Sequence, residues 1–187
     1  QGKYEQSERL NLDVKDIREK MTGKESPQYA QSLNNLASLY MATGQFDLAE
    51  QYYLEARAIR EKTVGKEDKD YAASLGNLGI LYAQTSRYEQ AVPLFLEAQT
   101  IREKALGKAH PDYIEGLLNL ATLSTEMGDF EHAEWYYLEA MAFQEKVLGK
   151  EHPTYAVNLG NLSILYNEMG NHEREKILCL EAQTILE

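Results

Sequence analysis

The chain has 187 residues, with 30 acidic against 19 basic side chains and a formal net charge of -11. That balance argues against a nucleic-acid backbone or an anionic membrane as principal partner, since both are bound through surplus Lys and Arg. One cysteine, Cys179, excludes an intrachain disulfide, no apolar run approaches the roughly 20 residues of a membrane span, and Gln1-Gly2-Lys3-Tyr4-Glu5 lacks the basic head and apolar core of a signal peptide, so a cytoplasmic protein is expected.

A repeat organises everything else. The stretch from Tyr29 to Tyr40 returns at Tyr71, Tyr113 and Tyr155, each time after 42 residues and without insertion. A fixed period of this size signals a solenoid of stacked units with no single central core. In chain order, residues 1–25 align with the second half of a unit and are expected to form its second helix. Four units follow at 26–67, 68–109, 110–151 and 152–187, in one continuous solenoid. The chain thus begins in mid-unit, and its last residues, Thr184-Ile185-Leu186-Glu187, stop inside a helical pattern. A piece of a longer array is the expectation.

Within a unit two apolar stripes alternate with short breaks. Leu33, Leu36, Ala37 and Tyr40 have the i, i+3, i+4, i+7 spacing of one helix face. Gly44 ends that helix, and Ala49, Tyr52, Tyr53, Ala56 and Ile59 mark the next. Gly65-Lys66 closes it, and His110-Pro111 and His152-Pro153 restart later pairs, Pro being favoured in a first helical turn. About nine helices in antiparallel pairs are expected, with no strand. The small residues Ala37, Gly79, Ala121 and Ser163 share one column, and Ala49, Ala91 and Ala133 another, where helix axes approach; Tyr53, Phe95 and Tyr137 fill the layer between. In the last unit Glu175 and Cys179 break these columns. The final helix is therefore expected to be shifted or more exposed, with Cys179 as a buried inert thiol.

These columns resemble a tetratricopeptide repeat. The Ile101-Arg102-Glu103-Lys104 run, followed by Gly107-Lys108 and His110-Pro111, is similar to the 42-residue kinesin-light-chain type, over essentially the whole chain. The resemblance implies an all-α, right-handed solenoid and a protein-interaction scaffold that holds a peptide or helical segment in a concave groove lined by first helices. Its alternative implication is a regulatory or sensor module of a larger enzyme, such as a caspase-like peptidase or a signalling ATPase. One linker departs from the pattern, with Asp68-Lys69 in place of His-Pro.

No catalytic centre, cofactor or metal site is legible. Val64-Gly65-Lys66 lacks the second glycine and the Ser/Thr of a phosphate loop. His110, His132, His152 and His172 never take the i, i+4 spacing of a helical zinc site; His110 and His152 fall in equivalent linkers, where a turn role is expected. The resemblance places the groove by column. The first unit contributes Gln31, Asn34, Ser38 and Met41, and the second Ala73, Gly76, Ile80 and Gln84. The third adds Glu115, Leu118, Thr122 and Glu126, and the fourth Val157, Gly160, Ile164 and Glu168. These positions vary while core columns do not, as expected for a surface fitted to one partner, or for drift on solvated sites. No cation stands among them, so a clamp for a terminal carboxylate is not expected. Gly76 and Gly160 leave room for a ligand backbone, and the partner is expected to offer apolar anchors with some basic character. Asn35, Asn77, Asn119 and Asn161 never vary; an amide here either ties adjacent helices together, the simpler reading, or holds a ligand backbone. Trp135 and Ile177, one period apart, form a possible outer apolar patch, and end-to-end self-association through the incomplete repeats is a further possibility.

Overall fold

The computed structural model describes residues 2–187; Gln1, the first residue of the expected 1–25 half-unit, lies outside the described residues. The described residues form nine helices and no strand. They are α1 (Gly2–Thr22), α2 (Pro27–Ala42), α3 (Phe46–Thr63), α4 (Lys69–Gln84), α5 (Tyr88–Leu106), α6 (Pro111–Glu126), α7 (Phe130–Leu148), α8 (Pro153–Glu168) and α9 (His172–Leu186). They fall into two compact units divided at the last residue of α5, the first running to Ala105 and the second from Leu106 through α6–α9.

Each helix break has a local cause. Glycines 23, 44, 65, 107, 128, 149 and 170 take φ between +73° and +87°, and Ser86 takes +58° at the remaining position. These left-handed exits recur every 21 residues, half the sequence period. Only Ser86 meets the Cβ penalty of that conformation. The restarts are capped by side chains. His110 Nδ1 accepts from Asp112 N at 3.1 Å and His152 Nδ1 from Thr154 N at 3.2 Å. Asp68, in the departing linker, accepts from Asp70 N at 2.7 Å, so the substitution preserves the cap. The linker histidines are turn residues, as their recurrence implies.

In the N-terminal unit α1 packs on α2, α2 on α3 and α3 on α4. Tyr71, Ala72 and Leu75 of α4 form a core with Ala98 and Ile101 of α5. In the C-terminal unit α6 packs on α7, α7 on α8 and α8 on α9. The small column is needed where it is smallest: a Cβ on Gly79 would stand 2.7 Å from Phe95 Cε1. The ring column is buried, with Tyr53 1%, Phe95 3% and Tyr137 4% exposed.

Polar pairs at fixed sequence separations stitch the layers. Tyr40 donates to Glu8 and Tyr82 to Glu50, both at 2.8 Å, and Tyr166 donates to Glu134, each 32 residues apart. Burial, helped by the Glu8 carboxylate, pushes the Tyr40 hydroxyl up to about 12. Fourteen residues separate Arg18 from Ser32 and Arg60 from Ser74, bonded at 2.9 and 2.8 Å. At the same separation in the C-terminal unit Asn158 donates to Gln144 instead, a neutral pair replacing a charged one. Fifteen residues separate Ser38 from Tyr53 and Thr122 from Tyr137, whose hydroxyls meet at 2.9 and 3.3 Å. Phe95 has no hydroxyl, and its counterpart is Ile80. The choice at 38, 80 and 122 thus follows the ring beneath it.

One expectation of the last unit needs correction. Cys179 is exposed, its thiol reaching Ser163 Oγ at 3.4 Å. A thiol in a position built for a ring does not span the layer, so the column gives its direction and not its burial. As expected, α9 is the least buried helix of its unit: Ala182 is its one fully buried residue.

Candidate protein-interaction site

The outward face of the first helices differs between the two units. On α2 and α4 it is rich in amides. Arg60 enters from α3, 4% exposed, and gives Nη1 to Asp70 O and Ser74 Oγ and Nη2 to Gln31 Oε1 at 2.7 Å. Gln31 Nε2 passes a hydrogen bond to Asn35 Oδ1 at 2.9 Å. Asn77 Nδ2 donates to Asn34 Oδ1 at 2.7 Å, tying α4 to α2. The asparagine column therefore splits. Asn77 bridges helices, whereas Asn35 is exposed and bonds within its own helix.

Burial lowers the affinity of Arg60 for its proton, opposed by the carboxylates of Asp70 and Asp68. The guanidinium remains the charged form at any ordinary pH. No column of first-helix residues announces it, because a long side chain delivers its charge far from its Cα. The room expected at Gly76 is occupied for the same reason. Gly76 is buried, and a Cβ there would lie 3.1 Å from Arg102 Nη2. Ala73 and Ile80 are half-buried, as are Ser38 and Met41, while Gln84 is exposed. Ser38 is engaged by Tyr53, which leaves packing as sufficient reason for its identity.

On α6 and α8 the face is apolar with carboxylates at intervals. Val157 and Ile164 are each 57% exposed, two turns apart. Between them Gly160 is open: an added Cβ would meet nothing within 4 Å. Glu115, Thr122, Glu126 and Glu168 are exposed, and Leu118 and Asn161 half-buried. Desolvation raises the Glu126 carboxyl above the ordinary range. Asn119 Nδ2 is buried without a hydrogen-bond partner among the described residues. Such a donor costs free energy until something accepts from it.

The second helices α7 and α9 carry another exposed apolar set. Trp135 is 55% and Ile177 56% exposed, and the Trp135 ring meets Tyr136 edge-on at 4.9 Å. Among the described residues no group of three or more His, Cys, Asp or Glu side chains is placed to hold a metal ion. No described helix is long and apolar enough to cross a membrane.

The tetratricopeptide repeat profile matches residues 1–62, 28–104, 70–146 and 113–186, in overlapping windows that together span the chain. The chain belongs to the tetratricopeptide repeat family. Proteins of this family are generally protein-interaction scaffolds, and the fold is typically non-catalytic. A Podosopora anserina kinesin-light-chain candidate with nearly identical TPR-like repeats is similar in structure, at 26% identity and a TM-score of 0.81, over 99% of this chain and 88% of that one. A mutant form of it matches at 27% identity and a TM-score of 0.83, over 98% and 87%. BtubC (BKLC) from P. vanneervenii shares the fold at 22% identity and a TM-score of 0.85, over 98% of this chain and 73% of that one. The 42-residue array is thus similar in structure to kinesin-light-chain-like repeats. No curated protein matches it significantly.

Proposed function

We propose that this array is a protein-interaction scaffold that holds an extended or helical segment of a partner against the outward faces of its first helices. The observation that carries the reading is the exposure of Val157 and Ile164 on either side of the open Gly160. Exposed β-branched side chains in register, with a gap a backbone can enter, fit a docked chain better than a solvated surface. Glu126 and Glu168 flank them on the same faces, and the chain is acidic throughout. A partner with apolar anchors and basic neighbours complements both.

The test is capture of partners from the source cell by the immobilised chain, repeated with Gly160→Arg and Ile164→Arg. Both positions are solvent-accessible, so far-ultraviolet circular dichroism should be unchanged. A protein retained by the wild type and lost with both variants supports the reading. Equal retention by all three overturns it.

A further inference from the structure

Within the C-terminal unit a cavity of about 320 Å³ opens between α6, the end of α7 and the start of α8. Its lining includes Ile114 and Leu118 from α6 and Val147 and Leu148 from α7. Ile114 is buried in the core, whereas Val147 and Leu148 are 46% and 44% exposed. Gln144, also in the wall, accepts from Asn158 through Oε1. The volume lies at the low end of the roughly 300–1,000 Å³ of ligand sites. One bulky side chain fills it better than an extended small molecule.

Charge selects the neighbour of that side chain. Glu115 is the one charged residue among those lining the cavity. It is exposed and forms no ion pair among the described residues. The nearby cations are otherwise engaged: Lys146 lies 5.6 Å from the Phe143 ring and Lys150 pairs with Glu145 at 3.7 Å. Leu118 and Glu115 belong to the same first-helix face as Thr122 and Glu126, so a chain crossing that face can lower a side chain into the cavity.

We infer that this cavity is an anchor pocket for one large apolar side chain of a peptide, with an adjacent Lys or Arg held by Glu115. The inference rests on the proposed docking face and gives it a position and a chemistry. Val147→Asn and Leu148→Asn remove the apolar rim without touching the core, and Glu115→Lys inverts the charge. The probe is the fluorescein-labelled peptide Gly-Lys-Leu-Phe-Lys-Gly, read by fluorescence anisotropy on the whole chain. Controls carry Ala-Ala for Leu-Phe, or Glu for both Lys.

Wild-type protein should bind the probe at least tenfold more tightly than either control. The double variant Val147→Asn/Leu148→Asn should lose at least tenfold, and Glu115→Lys should come to prefer the Glu-bearing peptide. No binding by 1 mM, equal binding of the Ala-Ala peptide, or an undiminished affinity in the double variant overturns the inference. The natural partner separates the two levels. If Gly160→Arg abolishes its capture and the rim variants do not, the pocket alone is wrong. If neither abolishes capture, the face is wrong as well.

Discussion

Exchange of a single oxygen tests whether the repeated positions on the first helices are set by the layer beneath them. Phe95→Tyr places a hydroxyl in a ring site that is 3% exposed. At the equivalent rings that hydroxyl is met by Ser38 at 2.9 Å and by Thr122 at 3.3 Å, whereas here the equivalent residue is Ile80, which carries no hydroxyl. A buried hydroxyl without a partner costs about 1–3 kcal/mol. Ile80→Ser alone removes apolar packing from a half-buried site and should cost roughly 1–2 kcal/mol by area lost. The double variant restores the pair seen in its neighbour. The two changes should therefore be non-additive by about 1–2 kcal/mol in the stabilising direction, well above the ~0.3–0.5 kcal/mol scatter of independent sites. Urea unfolding of the four proteins, followed by circular dichroism, closes the cycle. Because arrays can unfold in parts, the comparison requires m-values that agree among the four. Additive effects would refute the pairing and return position 80 to the partner-selecting set.

Other consequences follow from the same geometry. Gly79→Ala drives a methyl into the Phe95 ring, an overpacking of about 1–3 kcal/mol, while Gly160→Ala meets open space and gains about 1 kcal/mol of helix propensity; urea midpoints should move in opposite directions. Ser86→Gly relieves the left-handed strain of a Cβ and should raise stability by about 1 kcal/mol, seen in the same melts. The His132 imidazole is held above its ordinary range by its hydrogen bond to Asp129 and by that carboxylate's charge, and Asp129 is correspondingly lowered. With its folded value raised, His132 contributes stability at pH below the unfolded imidazole value and loses it as pH climbs through the folded one. An NMR titration should show the midpoint fall in Asp129→Asn. Docking on the first-helix faces should leave Trp135 on α7 as accessible to acrylamide as before; shielding of its fluorescence would favour the patch of Trp135 and Ile177.

The helices were legible because a 42-residue period multiplies each signal: four copies of one amphipathic pattern leave little room for another fold. The turns at His110 and His152 were legible from their recurrence beside proline, but their capping role and that of Asp68 were not, because a cap depends on which backbone N–H its side chain reaches. The stitching pairs were present in the sequence as constant separations of 14, 15 and 32 residues. They are hard to recognise in advance because such a separation states which residues meet only after helix length and pairing are known. Arg60 and Arg102 escaped column reading, since their guanidiniums act several bonds from the backbone. Gly76 and Gly160 stand in one column and yet differ, one filled by Arg102 and the other open. Cys179 shows the same limit, because burial depends on what covers a side chain as well as on where it points.

The most direct test of the scaffold account is the affinity of a captured partner for Gly160→Arg, measured by isothermal titration calorimetry against the wild type. Arg at an open helix position should leave the fold as stable or slightly more so, which separates binding from folding. The account predicts a loss of at least a hundredfold. Affinity within twofold of the wild type would contradict it.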